Sequence, residues 1–137
     1  MPTQPGQEPG KPCRRVLIVE DDKDSREMLR ILLELDGHDV HEAEDGPAAI
    51  SAALALQPDV ALVDVGLPGL DGHEVARELR GGPAGPRILL VALTGYAEPE
   101  DRERSRKAGF DAHVAKPISP EKLAELFRML EAPRPTP

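Results

Sequence analysis

Three short apolar runs limit what this chain can become: Arg15-Val-Leu-Ile-Val-Glu20, Val60-Ala-Leu-Val-Asp-Val65 and Arg87-Ile-Leu-Leu-Val-Ala-Leu-Thr94. Each is nearly continuous in apolar residues instead of alternating, the pattern of a strand covered on both faces. Helical spacing separates them. From Asp24, with Asp24 or Ser25 as cap, the residues Met28, Ile31, Leu32 and Leu35 recur as one apolar face, and Gly37 stops the helix. The Ala-rich segment Gly46 to Leu56 places Ile50, Ala53 and Leu54 on one side, and Pro58 closes it. Gly72 to Arg80 turns Val75, Ala76 and Leu79 inward. A last helix opens at Ser119 or Pro120, with Leu123, Leu126, Phe127 and Leu130 at i, i+3, i+4 and i+7. Two weaker strands, Val40 to Ala43 and Asp111 to Ala115, complete the set. Pro99 to Lys107 is nearly all charged and forms a helix only against a neighbour that accepts a thin apolar face. The predicted fold class is α/β: five parallel strands and five helices, doubly wound with right-handed crossovers.

Composition narrows the functions. The 137 residues suit one domain. Aromatic residues make up only 2%, which excludes a nucleic-acid platform of stacked rings, and the net charge of −8 repels phosphate backbones and anionic lipid. The lone Cys13 excludes an intrachain disulfide and a multi-cysteine zinc site. No apolar run approaches the roughly 18 residues of a membrane span, and there is no signal-peptide core, so a cytoplasmic location is expected. Residues 1–13 read as a flexible leader, 14–131 as the folded domain and 132–137 as a flexible tail or truncated linker. The Gly/Pro-rich stretch from Gly81 to Pro86 reads as an internal loop.

In a doubly wound sheet the site lies beyond the carboxyl ends of the strands. Those ends carry Glu20-Asp21-Asp22 after the first strand, Asp64 in the third, Thr94 in the fourth and Lys116-Pro117 after the fifth. Asp21, Asp22 and Asp64 converging at one rim repel one another, and Mg²⁺, a hard cation that prefers oxygen ligands, removes the conflict. Lys116 supplies a mobile positive charge and Thr94 a hydroxyl donor for phosphoryl oxygens. Acids, metal, hydroxyl and lysine together describe phosphoryl transfer with a carboxylate as nucleophile. Taken singly, each residue has a plainer role; Asp21-Asp22 would serve equally to cap the first helix.

In this order, Val16-Leu-Ile-Val-Glu-Asp-Asp22, Asp64-Val-Gly-Leu-Pro-Gly-Leu-Asp-Gly72, Ala92-Leu-Thr94 and Lys116-Pro117 resemble the receiver (CheY-like) domain of two-component signalling proteins, from about Arg14 to Glu131. The resemblance implies a flavodoxin-like sheet with Asp64 as phosphoacceptor, charged by a histidine kinase or histidine phosphotransfer protein. It implies Asp22 as the direct Mg²⁺ ligand, Asp21 acting mainly through water, and the Gly66 backbone carbonyl as a further ligand. Thr94 and Lys116 would bind phosphoryl oxygens, and Lys116-Pro117 would be a cis peptide. The wording Ala92-Leu-Thr-Gly-Tyr96 and Gly109-Phe-Asp-Ala-His113 resembles receivers at the carboxyl ends of hybrid histidine kinases. One position departs from the family: His113 stands where a rotating Tyr or Phe switch is usual, and is either a titratable switch or a surface residue. His38, His41 and His73 lack metal-ligand spacing and read as solvated.

Other readings fit less of the chain. No G-x-G-x-x-G or Walker loop follows the first strand. An aspartate-nucleophile phosphatase of the haloacid dehalogenase type would use Asp22-Lys-Asp24-Ser25, but its later acidic metal pair is missing. A docking module without phosphorylation would not need Asp64, Thr94 and Lys116 together. The chain is thus expected to be a signalling phosphoacceptor and not an enzyme, a monomer or weak dimer, with no direct nucleic-acid or membrane contact.

Overall fold

The computed structural model describes residues 14–66, 71–82, 88–95 and 99–131, apart from the side chains of Pro99, Leu130 and Glu131. The expected leader and tail, most of the 81–86 loop, Tyr96 and the inward face of Leu130 lie outside the described residues. The elements alternate throughout: β1 (Arg15–Val19), α1 (Lys23–Leu35), β2 (Asp39–Ala43), α2 (Gly46–Leu56), β3 (Val60–Asp64), α3 (Gly72–Gly81), β4 (Leu89–Thr94), α4 (Pro99–Ala108), β5 (Ala112–Ala115) and α5 (Pro120–Glu131). The five strands form one parallel sheet in the order β2-β1-β3-β4-β5. This is the doubly wound, flavodoxin-like arrangement that the alternation of apolar runs predicts.

The strands that read as uniformly apolar divide their side chains between two cores. Val16, Ile18, Val60, Leu62, Leu89, Val91 and Leu93 face α1 and α5, whereas Leu17, Val19, Ala61, Val63, Leu90 and Ala92 face α2, α3 and α4. Both faces are covered, so alternation in the chain has no polar side to show. Three helices begin on the same device: the carboxylates of Asp22, Asp45 and Asp71 accept from the N–H groups of Ser25, Ala48 and Glu74. Among the described residues no helix is long and apolar enough to cross a membrane.

Two helices present only part of the face their spacing predicts. In α1 the sheet takes Leu29 and Leu33, while Met28, Ile31 and Leu35 are 42%, 57% and 70% exposed. Apolar residues cover too wide an arc of α1 for periodicity to choose between two stripes, and the helix starts at Lys23, capped by Asp22, not by Asp24 or Ser25. In α2, Ala53 is buried and Ile50 packs against the core as expected, but Leu54 is exposed and Ala49 is buried instead, because small residues let this helix lie close to the sheet. The charged segment does form a helix, α4, which among its described side chains buries Ser105 and Ala108 alone. The histidines are not simply solvated. His38 lies on the Phe127 ring, with centroids 4.7 Å apart, and His73 Nε2 is 3.3 Å from Ser105 Oγ.

Candidate phosphoacceptor site

Because every strand is parallel, all carboxyl ends emerge on one side. β3 ends at Asp64, which pairs in register with Leu93, and Thr94 at the end of β4 pairs with Ala115. The Lys116 N–H continues that ladder by donating to Thr94 O at 2.8 Å. Lys116 Nζ then reaches inward to lie 3.3 Å from Glu20 Oε2 and 3.3 Å from Asp64 Oδ2. The other Asp64 oxygen, Oδ1, accepts the Gly66 N–H at 2.9 Å. The Gly66 N–H thus engages Asp64 directly. The Lys116-Pro117 peptide is cis, as the resemblance implies.

Carboxylate oxygens of Glu20, Asp21 and Asp64 lie within 4.8 Å of one another. This is a set of hard oxygen donors with a net negative charge, the chemistry that suits Mg²⁺. The structure does not bring Asp22 into this group. Its Oδ2 accepts from Ser25 N at 3.0 Å and Ser25 Oγ at 2.6 Å, and these bonds hold its pKa below the ordinary carboxylate value. Glu20 is the residue that sequence reasoning misses. Its backbone continues β1 by donating to Ala43 O at 3.1 Å, so it reads as the last residue of a strand. The spacing of Asp22 to Ser25, an N-cap and its partner at N3, is the signal that assigns Asp22 to the helix and leaves Glu20 and Asp21 to the rim.

Glu20 is 2% exposed and its carbonyl accepts from Arg26 Nη1 at 2.9 Å. Burial, and then the Asp64 charge beside it, push its pKa up to about 7; Lys116 opposes the rise without cancelling it. At Lys116 burial works against the ammonium, but the charges of Asp64 and Glu20 outweigh it and hold the pKa above the usual lysine value. Glu20 thus binds its proton more tightly in the folded chain than in the unfolded one. Stability contributed by that proton is lost as pH rises from about 4.5 to about 7 in metal-free protein. Since a metal displaces the proton, Mg²⁺ affinity is expected to rise about tenfold from about pH 6 to about pH 8. Amide NMR titration at the two pH values checks this; an affinity flat across the range would remove Glu20 from the metal-responsive group.

The sequence matches the response regulator receiver domain family over residues 16–128. The chain belongs to that family. An uncharacterised 14.6 kDa protein of Leptolyngbya boryana is 36% identical over 116 residues, which are 85% of this chain and 86% of that protein. The transcriptional regulatory protein ResD of Bacillus subtilis is 36% identical over 109 residues, 80% of this chain but only 44% of ResD. The chain thus spans about half, or less, of many of its longer curated relatives. Among solved structures, the receiver domain of a sensor histidine kinase of Pseudomonas aeruginosa, with magnesium coordinated in its active-site cleft, is 34% identical with a TM-score of 0.76, covering 88% of this chain and 96% of that one. The chemotaxis protein CheY4 of Vibrio cholerae superposes with a TM-score of 0.83 at 27% identity, over 87% of this chain and 99% of that one. As a receiver domain with this acidic cluster, the chain is built for Mg²⁺-dependent phosphoacceptance and a conformational response. That chemistry modifies the domain itself instead of turning over a separate substrate.

Proposed function

We propose that Asp64 accepts a phosphoryl group from the phosphohistidine of a histidine kinase or histidine phosphotransfer protein, with Glu20, Asp21 and Asp64 holding Mg²⁺. The observation that carries this reading is the position of Lys116 Nζ, 3.3 Å from both Asp64 and Glu20 at the mouth of the acidic cluster. An Asp64 carboxylate oxygen forms the new bond to phosphorus, the P–N bond to the donor imidazole breaks, and the electron pair leaves with the imidazole nitrogen. Mg²⁺, when bound, neutralises negative charge on the carboxylates and the phosphoryl oxygens. Lys116 supplies a second cation beside Asp64 and Glu20, and the Thr94 hydroxyl would donate to a phosphoryl oxygen. The phosphatase alternative needs Asp22 as nucleophile, and that carboxylate is engaged by Ser25.

The donor has a surface to approach. Met28 and Ile31 lie exposed on α1, and a groove of about 460 Å³ between α1 and the β5–α5 turn is lined by Glu20, Ser25, Met28, Lys116 and Ile118. An apolar helical partner seated there brings its phosphohistidine beside Asp64. The reading is tested by intact-mass measurement after treatment with a small phosphodonor. One added phosphoryl group, dependent on Mg²⁺, is the expected result, and no uptake would overturn it.

His113 belongs to the same proposal as the responsive residue on β5. It lies between two grooves of about 320 and 270 Å³, both of which also include Arg102. The residue is exposed on β5, yet partial desolvation, and then the Arg102 charge, hold its pKa below the ordinary histidine value. The neutral ring is therefore favoured near neutrality, and inward movement becomes less favourable as pH falls through the histidine range. An imidazole also fills less space than a phenol. His113→Tyr is expected to enlarge the beryllofluoride-induced amide shifts on α4, β5 and α5 and to remove their pH dependence. A variant indistinguishable from the wild type would make His113 a bystander to the response.

A further inference from the structure

β5 is the edge strand of the sheet, and its last peptide faces two ways. The Lys116 N–H points to β4, where it meets Thr94 O, so the Ala115 carbonyl of the same planar peptide points to the open edge. The Pro117 carbonyl, two residues on, lies beyond the end of the ladder. One group satisfies both: Lys122 Nζ donates to Ala115 O at 3.0 Å and to Pro117 O at 2.9 Å. Lys122 sits in the first turn of α5, where its own N–H donates to Ser119 Oγ at 3.2 Å and the Leu123 N–H donates to Ser119 O at 3.1 Å. The ammonium thus bridges the two carbonyls that flank Lys116, while the Lys116 side chain leaves the same turn for Glu20 and Asp64. A charged donor makes each of these bonds stronger than a neutral one would.

We propose that Lys122 is a positioning residue for Lys116, clamping the turn from outside so that the Lys116 ammonium is presented to Asp64 within it. The proposal rests on the phosphoacceptor reading above and deepens it. Lys122 acts through the backbone on either side of Lys116, not on the phosphoryl group. Its loss therefore weakens the step that needs Lys116 and spares the carboxylates that hold Mg²⁺.

The test compares two affinities in the full chain: Mg²⁺ alone, and beryllofluoride in saturating Mg²⁺, each followed by amide NMR shifts. Lys122→Met is expected to weaken beryllofluoride binding about fivefold while leaving Mg²⁺ affinity within about twofold. Lys122→Arg keeps a charged donor of similar reach and is expected to retain most of the wild-type beryllofluoride affinity. Undiminished beryllofluoride binding in Lys122→Met, or an equal loss of both affinities, would overturn the positioning role. So would an arginine variant as weak as the methionine one. Wild-type protein that binds Mg²⁺ but no beryllofluoride would instead overturn the phosphoacceptor reading, and this inference with it.

Discussion

Replacing Asp64 by Asn is expected to reduce labelling by a small phosphodonor to background while the fold persists. The amide has the shape of the carboxylate, but its nitrogen cannot act as the nucleophilic oxygen. Asn still accepts the Gly66 N–H through its carbonyl oxygen, and Lys116 keeps Glu20 as a partner. Removing one acid from a cluster of three relieves repulsion, so unfolding free energy is expected to stay within about 1 kcal/mol of the wild type. The same change has an electrostatic signature. Glu20 owes its pKa of about 7 first to burial and then to the Asp64 charge, so the variant should titrate Glu20 at lower pH. Intact-mass labelling and carboxylate NMR check the two outcomes separately. Labelling that survives the substitution would move the nucleophile elsewhere.

Gly72→Ala is expected to be the most damaging single-methyl change near the site. A Cβ at Gly72 would stand 2.5 Å from both the backbone oxygen of Asp64 and Val65 Cα. These are backbone atoms, so no side chain can swing away, and either the start of α3 or the end of β3 must move. Overpacking of this kind costs roughly 3 kcal/mol, and the movement falls on the carbonyl of Asp64 itself. At Gly81, the other end of α3, a methyl group would meet nothing within 4 Å. Gly81→Ala is therefore the control and is expected to change stability by less than about 1 kcal/mol. Urea denaturation of both variants decides the matter. A Gly72→Ala protein as stable as the control would mean that the close approach of α3 to Asp64 is not rigid.

The fold is legible because its strongest signal is redundant. Three apolar runs too short for helices, separated by helix patterns, admit few arrangements besides a parallel sheet covered on both sides. Local detail is less legible where two solutions share one pattern. Met28, Ile31 and Leu35 repeat as regularly in α1 as a buried stripe would, yet the sheet takes Leu29 and Leu33. The site shows the same ambiguity on a smaller scale. Three successive acids follow β1, and composition cannot say which of them turns to the rim. The choice is made by Ser25, whose N–H and hydroxyl both bind Asp22 and leave Glu20 and Asp21 beside Asp64. Asp64, Thr94 and Lys116 are easier to find because each ends, or directly follows, a strand whose direction the topology fixes. Lys122 carries no sequence signal, since a lysine in the first turn of a helix is ordinarily a solvated residue.

The central claim is that phosphoryl chemistry takes place on Asp64, with Asp22 serving only as a helix cap. The most direct measurement is to phosphorylate the protein with a small phosphodonor in Mg²⁺, trap the acyl phosphate by borohydride reduction and locate the modified residue by peptide mass spectrometry. The account predicts modification of Asp64 alone, absent when Mg²⁺ is withheld. Modification at Asp22 would contradict it, because that carboxylate would then have to leave Ser25 and act as the nucleophile of a different reaction.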